Sequence, residues 1–191
     1  DPVMAALCAI HRQGLIHRDI SPDNIIFRKN GQPCLLDFGA ARDFEKSMQE
    51  NRGMTVILKR SYAPEEQYRM NGKQGPWTDV YAMAAVFYRC ITGNPPAEIS
   101  ERIYQGAEKK TLDFGALVNK RQEAVLQKGL AVYAGDRYQT MEEFQRELRQ
   151  SCIGERAGNI PGQGENELTR ADRPAGSIGS TAGSVRKTKW L

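Results

Sequence analysis

Apolar positions in this chain recur at helical spacing in some stretches and cluster in short runs in others, and the two patterns divide it into elements. Val3, Leu7 and Ile10 fall near helical spacing, with Gly14 behind them as a stop, so a helix is predicted over residues 2–13. Two short apolar runs follow, Asn24-Ile25-Ile26-Phe27 and Pro33-Cys34-Leu35-Leu36, and both read as strands. Asn30-Gly31 between them favours a tight hairpin, because both residues tolerate positive φ. Residues 40–61 carry neither period and many polar side chains, the mark of a functional or disordered stretch. Over 77–92, Val80, Tyr81, Met83, Ala84, Val86, Phe87 and Ile91 point in nearly every direction. With Pro76 and Thr78 at its start and Gly93 at its end, this segment is predicted to be the buried central helix. Further helices are predicted over 98–107, 119–130 and 140–152, the last opened by a capping box of Thr140 and Glu143.

From Gly154 onward Gly, Ser, Pro and polar residues dominate, and large apolar side chains nearly vanish until Trp190-Leu191. Such a segment buries too little surface to offset its ordering entropy and reads as a flexible tail. Its end, Arg186-Lys187-Thr188-Lys189-Trp190-Leu191, joins a basic cluster to an aromatic, as the cytoplasmic flank of a membrane helix does; a solvated charged end is the alternative. The expected organisation is a folded unit over 1–153 and a basic-ended linker over 154–191. The opening Asp1-Pro2-Val3-Met4 runs straight into helical pattern, and the chain reads as a fragment.

Composition narrows the function. A length of 191 residues with 40% apolar content suits one buried core and is short for two ordinary domains. The net charge of +4 is spread over basic residues interleaved with acids, a solvated surface that gives no reason to expect nucleic acid. Cys8, Cys34, Cys90 and Cys152 lie far apart with no CxxC pair, which argues against a zinc site and a disulfide framework. Each has apolar neighbours and reads as a small buried hydrophobe in a reducing compartment. No run approaches the roughly 18 apolar residues of a membrane span, and no signal peptide opens the chain.

The chemistry lies in two motifs. Phosphoryl transfer needs a carboxylate to orient the attacking hydroxyl, oxygen ligands for Mg²⁺, and positive charge near the transferred group. In His17-Arg18-Asp19-Ile20-Ser21-Pro22-Asp23-Asn24, Asp19 would accept the substrate hydroxyl proton, and Asn24 would offer its amide oxygen to Mg²⁺. Thirteen residues after Asn24 comes Asp37-Phe38-Gly39, at the end of the second strand, where Asp37 would meet the metal that bridges the nucleotide phosphates. A second such tripeptide, Asp113-Phe114-Gly115, follows no strand or catalytic loop and is assigned no role.

With H-R-D, the spaced Asn, the hairpin and D-F-G in this order, residues 2–152 resemble the large lobe of the protein kinase family. The implied fold is mainly α with a small β-hairpin, the large (C-terminal) lobe of the protein-kinase-like α+β fold. Tyr62-Ala63-Pro64-Glu65-Glu66 falls where the family closes its activation segment, and spacing from Tyr62 favours Glu66 over Glu65 as partner of Arg137. Asp79 occupies the place of a family aspartate that accepts hydrogen bonds from the catalytic-loop backbone. A carboxylate on an apolar helix must in any case find donors. His17 is expected to pack and hold backbone, and Arg18 to bind a phosphate on the activation segment, with Thr55 and Ser47 as candidate acceptors. Ala84 stands where the family usually has glycine.

Two departures from the family form a pair. Where a lysine usually follows the catalytic aspartate by two residues, this chain has Ser21; where a threonine usually precedes the tyrosine by three, it has Lys59. The expectation is that Lys59 reaches back to Ser21 and Asp19 and restores the missing cation, the alternative being a surface charge beside Arg60. The resemblance implies ATP and Mg²⁺ as cofactors, a protein substrate with a Ser or Thr acceptor, and a small ATP-covering lobe that residues 1–191 do not contain. The wording of the catalytic loop is similar to bacterial kinases in which a cytoplasmic kinase domain leads through a linker to a membrane helix, here just beyond Leu191. Two other readings stay open: a pseudokinase or scaffold, favoured by Ser21, and a small-molecule kinase of the aminoglycoside-phosphotransferase type.

Overall fold

A computed structural model describes residues 2–37, 42–43, 59–106 and 112–153. Helix α1 spans Pro2–His11 and buries Val3, Met4, Leu7 and Cys8 on one side. It ends two residues before the sequence pattern predicts, and Gly14 turns the chain at φ 72°. Strand β1 follows over Leu15–Ile16, and a 3-10 turn over Pro22–Asn24 leads into β2, Ile25–Phe27. Strand β3, Pro33–Leu35, pairs antiparallel with β2 in the register Ile25 to Leu35, Ile26 to Cys34 and Phe27 to Pro33.

The hairpin turn is longer than Asn30-Gly31 alone implies. The strands part after Phe27, Arg28 N–H donates to Gln32 O at 2.9 Å, and Gly31 alone of the dipeptide takes positive φ, at 78°. Asn30 instead accepts Gln32 N–H on its side chain at 3.1 Å. Strand β4, Arg42–Asp43, lies within the stretch read as aperiodic and pairs antiparallel with β1. Two-residue strands carry no readable period, so sequence pattern passes over both.

Helices α2 (Glu65–Tyr68), α3 (Pro76–Thr92), α4 (Ile99–Tyr104), α5 (Lys120–Gly129) and α6 (Met141–Ile153) complete the described fold. Every residue of α3 from Thr78 to Val86 is buried, as its all-round apolar character predicts, while Phe87 and Ile91 pack at the core's margin. Gly93 closes α3 in the left-handed region, its N–H on Arg89 O at 2.8 Å. α5 opens on a reciprocal cap between Asn119 and Gln122. At α6, Glu143 N–H donates to Thr140 Oγ1, but the Glu143 carboxylate accepts from Gln139 N–H, so the expected box is half formed.

The core gathers Leu7, Ile20, Tyr81, Leu126, Met141 and Phe144 around α3. Gly129 permits α5 to touch α3: a Cβ there would stand 2.9 Å from that of Ala84. The second Asp-Phe-Gly proves structural, with Phe114 buried edge-on against Tyr88 and Asp113 closing a turn on Gly115 N–H. Of the cysteines only Cys8 is buried; Cys34 and Cys152 are half-buried and Cys90 is exposed, because α3 has left the core by its last turn. An apolar cavity of about 450 Å³ lies between α1, the hairpin, α3 and α6. On the hairpin, Ile26 and Phe27 are exposed, and Phe27 lines this cavity. No helix among the described residues is long and apolar enough to cross a membrane. The tail over 154–191 lies outside the described residues.

Candidate active site

The loop between β1 and β2 is set by one buried carboxylate. Asp79, in the first half of α3, is fully buried and accepts His17 N–H at 2.8 Å and Arg18 N–H at 2.9 Å. The His11 ring adds a third contact, Nε2 to Asp79 Oδ2 at 2.7 Å. These donors offset the desolvation that an isolated buried carboxylate would suffer. They also hold Arg18 in the left-handed region, φ 71°, at a strain of roughly 1–3 kcal/mol for a non-glycine residue. The Arg18 carbonyl is held from the other side by Gln67 Nε2 at 2.8 Å.

His17 is buried and bridges backbone. Its Nδ1 accepts Asp19 N–H at 3.4 Å, which leaves the proton on Nε2 to meet Leu36 O at 3.2 Å. Leu36 N–H in turn donates to Asn24 O at 2.8 Å. The residue before Asp37 is therefore tied at both its N–H and its C=O to the loop that carries Asp19. Asp37 itself is exposed, at φ 59°. Phe38 and Gly39 lie outside the described residues.

Asp19 keeps about a third of its side chain accessible. Asn24 Nδ2 donates both to Asp19 Oδ2 at 2.8 Å and to Asp19 O at 2.7 Å, so the amide oxygen is the atom left to meet a cation. Lys59 Nζ donates to the buried Ser21 hydroxyl at 2.7 Å and stands 3.6 Å from Asp19 Oδ1. The exposed Asp23 approaches the same ammonium at 3.7 Å. A turn fixes where Lys59 begins, its carbonyl accepting Tyr62 N–H at 2.8 Å and Ala63 N–H at 3.0 Å. Thr55 and Ser47, the candidate acceptors for a phosphate opposite Arg18, lie outside the described residues.

At the far side of α3 the segment closes on a buried pair. Arg137 grips both Glu66 oxygens, at 2.7 and 3.0 Å, and donates onward to Val132 O and Ala131 O. Thr78 Oγ1 adds a bond to Glu66 Oε1 at 2.9 Å, and the guanidinium lies 5.0 Å from the centre of the Tyr81 ring. Burial pushes the Tyr81 phenol above its ordinary range, against the opposing pull of Arg102 and Arg137. Glu65 pairs instead with the exposed Arg69. Gly72 lets the chain return over this corner, since a Cβ there would overlap Glu66 O.

Asn24 and Asp37 offer oxygen donors of the hard kind that Mg²⁺ prefers, and a site with few protein ligands is usual for Mg²⁺ shared with substrate phosphates. Among the described residues no cluster of three or more His, Cys, Asp or Glu would hold a metal by itself. The donor set thus fits a cation brought with a nucleotide.

Sequence reasoning missed His11, Gln67, Gly72 and Gly129. A histidine on the otherwise apolar face of α1 is the one local signal among them; the other three act through residues distant in sequence or across a packing contact.

The loop thus carries an acid beside an amide, the central helix anchors it through Asp79, and a cation reaches it from a later segment. The chain belongs to the protein kinase family, whose protein kinase domain matches residues 1–152. It is 33% identical over 159 residues to a probable serine/threonine-protein kinase of Corynebacterium efficiens, covering 77% of this chain and 24% of that protein. PknB of Mycobacterium leprae, named a serine/threonine-protein kinase, is 31% identical over 175 residues, 88% of this chain and 27% of that protein. The chain thus spans about a quarter of the length of these curated relatives. Among solved structures, the PpkA-294 apo form superposes with a TM-score of 0.62 at 35% identity, covering 77% of this chain and 51% of that one.

Proposed function

We propose that the protein carrying this chain transfers the γ-phosphoryl group of ATP to a serine or threonine hydroxyl of a protein. In this reading residues 1–153 supply the catalytic loop, the metal ligands and the substrate-binding lobe, and a small lobe of the same protein covers the nucleotide. The observation that carries the reading is the setting of Asp19, braced by Asn24 at 2.8 Å and approached by Lys59 at 3.6 Å.

Asp19 orients the acceptor hydroxyl and takes its proton as the new O–P bond forms and the bond to the leaving ADP oxygen breaks. Lys59 sets a positive charge beside the transferred group from the side of the activation segment, where the family usually has a lysine at the position of Ser21. Asn24 and Asp37 would hold Mg²⁺, which when bound draws the nucleotide phosphates together and neutralises their charge. Asp79, His17 and the Glu66–Arg137 pair keep this geometry and touch no substrate.

A protein acceptor is favoured over a small molecule by the buried pair that closes the segment and by the names of the relatives. The binding-only reading draws on Ser21, and the placement of Lys59 speaks against it. The test is to express the complete reading frame and follow labelled γ-phosphate from Mg-ATP, with Asp19→Asn as control. Label on Ser or Thr that disappears in Asp19→Asn is the expected result. Label on a small alcohol or amine instead, or nucleotide binding without transfer, would hand the case to one of the other readings.

We read residues 154–191, from their Gly-, Ser-, Pro- and basic-rich composition, as a linker between the kinase unit and a membrane attachment of the same protein, on its cytoplasmic side. Fractionation of cells expressing the complete frame checks this, and recovery wholly in the soluble fraction would overturn it.

A further inference from the structure

We propose that Gln67 is a positioning residue for Asp19, a clamp between the closing helix of the activation segment and the catalytic loop. The inference rests on the kinase reading above. Gln67 follows Glu66 in α2, and its own N–H donates to Pro64 O at 3.0 Å. Because Glu66 is locked into Arg137 and Thr78, the backbone that carries Gln67 is among the best-anchored in the segment.

From that base Gln67 Nε2 reaches the Arg18 carbonyl at 2.8 Å. This carbonyl belongs to the planar peptide unit that ends in Asp19 N–H. The N–H end of the unit makes only a long contact, 3.4 Å, to His17 Nδ1. Asp79 holds the preceding peptide, through Arg18 N–H at 2.9 Å, and so does not set the tilt of the next one. Of these two contacts the Gln67 amide is the closer hold on the plane from which the Asp19 side chain projects. Arg18 is left-handed at φ 71°, so this plane would relax toward a commoner conformation once released. Lys59 and Gln67 thus serve one loop from one segment, the first with charge and the second with angle.

A merely structural Gln67 would show in melting temperature; a clamp on Asp19 shows in turnover with ATP affinity spared. In the complete protein, Gln67→Met keeps the length and loses the donor, and Gln67→Glu sets a carboxylate against the carbonyl. Both are expected to lower kcat about 10- to 100-fold, with KM for ATP within about twofold and little change in Tm. Hydrogen exchange should rise at the amides of residues 17–24 and stay unchanged over α3. Arg69→Gln, in the neighbouring exposed turn, is the control and should alter neither. Unchanged kcat in Gln67→Met, or a fall in kcat matched by a fall in Tm, would overturn the clamp. If the wild-type protein transfers no phosphate, the kinase reading fails and the exchange measurement still decides: unchanged exchange at 17–24 in Gln67→Met sinks the proposal, and a local rise sustains it.

Discussion

The ammonium of Lys59 lies 2.7 Å from the hydroxyl of Ser21, so that a cation from a later segment stands over the position where the family usually has a lysine. The same ammonium is 3.6 Å from Asp19, which in the proposed transfer sets charge and proton acceptor beside one hydroxyl. Asp23 also approaches it, but from an exposed position where an ion pair contributes little.

Removal of this cation is expected to lower kcat on the order of 10²-fold or more in Lys59→Met. Exchanging the two residues, Ser21→Lys with Lys59→Thr, should recover much of the loss, since the charge returns to the loop and the hydroxyl to the segment. Phosphate transfer measured for the three proteins side by side checks this. Near-normal turnover in Lys59→Met would make Lys59 a surface charge after all.

Asp79 offers a second test. Its two oxygens accept three donors in a fully buried site, and an amide in its place brings two hydrogens toward those donors. Asp79→Asn is expected to cost about 1–3 kcal/mol of stability and to reduce kcat, because the loop it loosens is the one that carries Asp19. The urea midpoint and the turnover number should fall together. A midpoint equal to wild type would show that the loop holds its shape without this carboxylate.

Sequence patterns announce the parts of the fold whose causes are local. The all-round apolar character of α3, the apolar runs of the hairpin, and the chemistry of residues 17–24 all lie within a few residues of their own explanation. Spacing alone separates Glu66 from Glu65, and the structure pairs Glu66 with Arg137 and Glu65 with Arg69. What stays silent is set by distant approach. Gln67 is an ordinary amide until its nitrogen meets Arg18 O, forty-nine positions away, and Gly72 an ordinary glycine until the chain folds over Glu66 O. Strand β1 is invisible because its partner, β4, sits in a stretch with no period of its own.

The Glu66–Arg137 pair predicts an asymmetry between single and double replacements. Both side chains are nearly inaccessible, and each satisfies the other's charge. Glu66→Gln or Arg137→Met alone leaves one charge buried without its partner and should cost about 3–5 kcal/mol. The double replacement removes both charges and should cost clearly less than the sum of the two. Denaturant midpoints of the four proteins complete the cycle, and strictly additive losses would mean the pair is not coupled.

The contact of α3 with α5 predicts a rescue. The family usually has glycine where this chain has Ala84, and here the space for the extra methyl group comes from the facing helix, at Gly129. A Cβ on Gly129 would stand 2.9 Å from that of Ala84 and 3.2 Å from the Phe144 ring, both in the buried core. Gly129→Ala should therefore destabilise by about 1–3 kcal/mol through overpacking, although alanine favours helix over glycine by roughly 1 kcal/mol. Ala84→Gly placed in the same chain returns the space to the other helix and should restore most of the loss. Thermal midpoints of the two single variants and the double decide it. If Gly129→Ala melts as the wild type does, the helices can part by the width of a methyl group, and a facing glycine is not what admits Ala84.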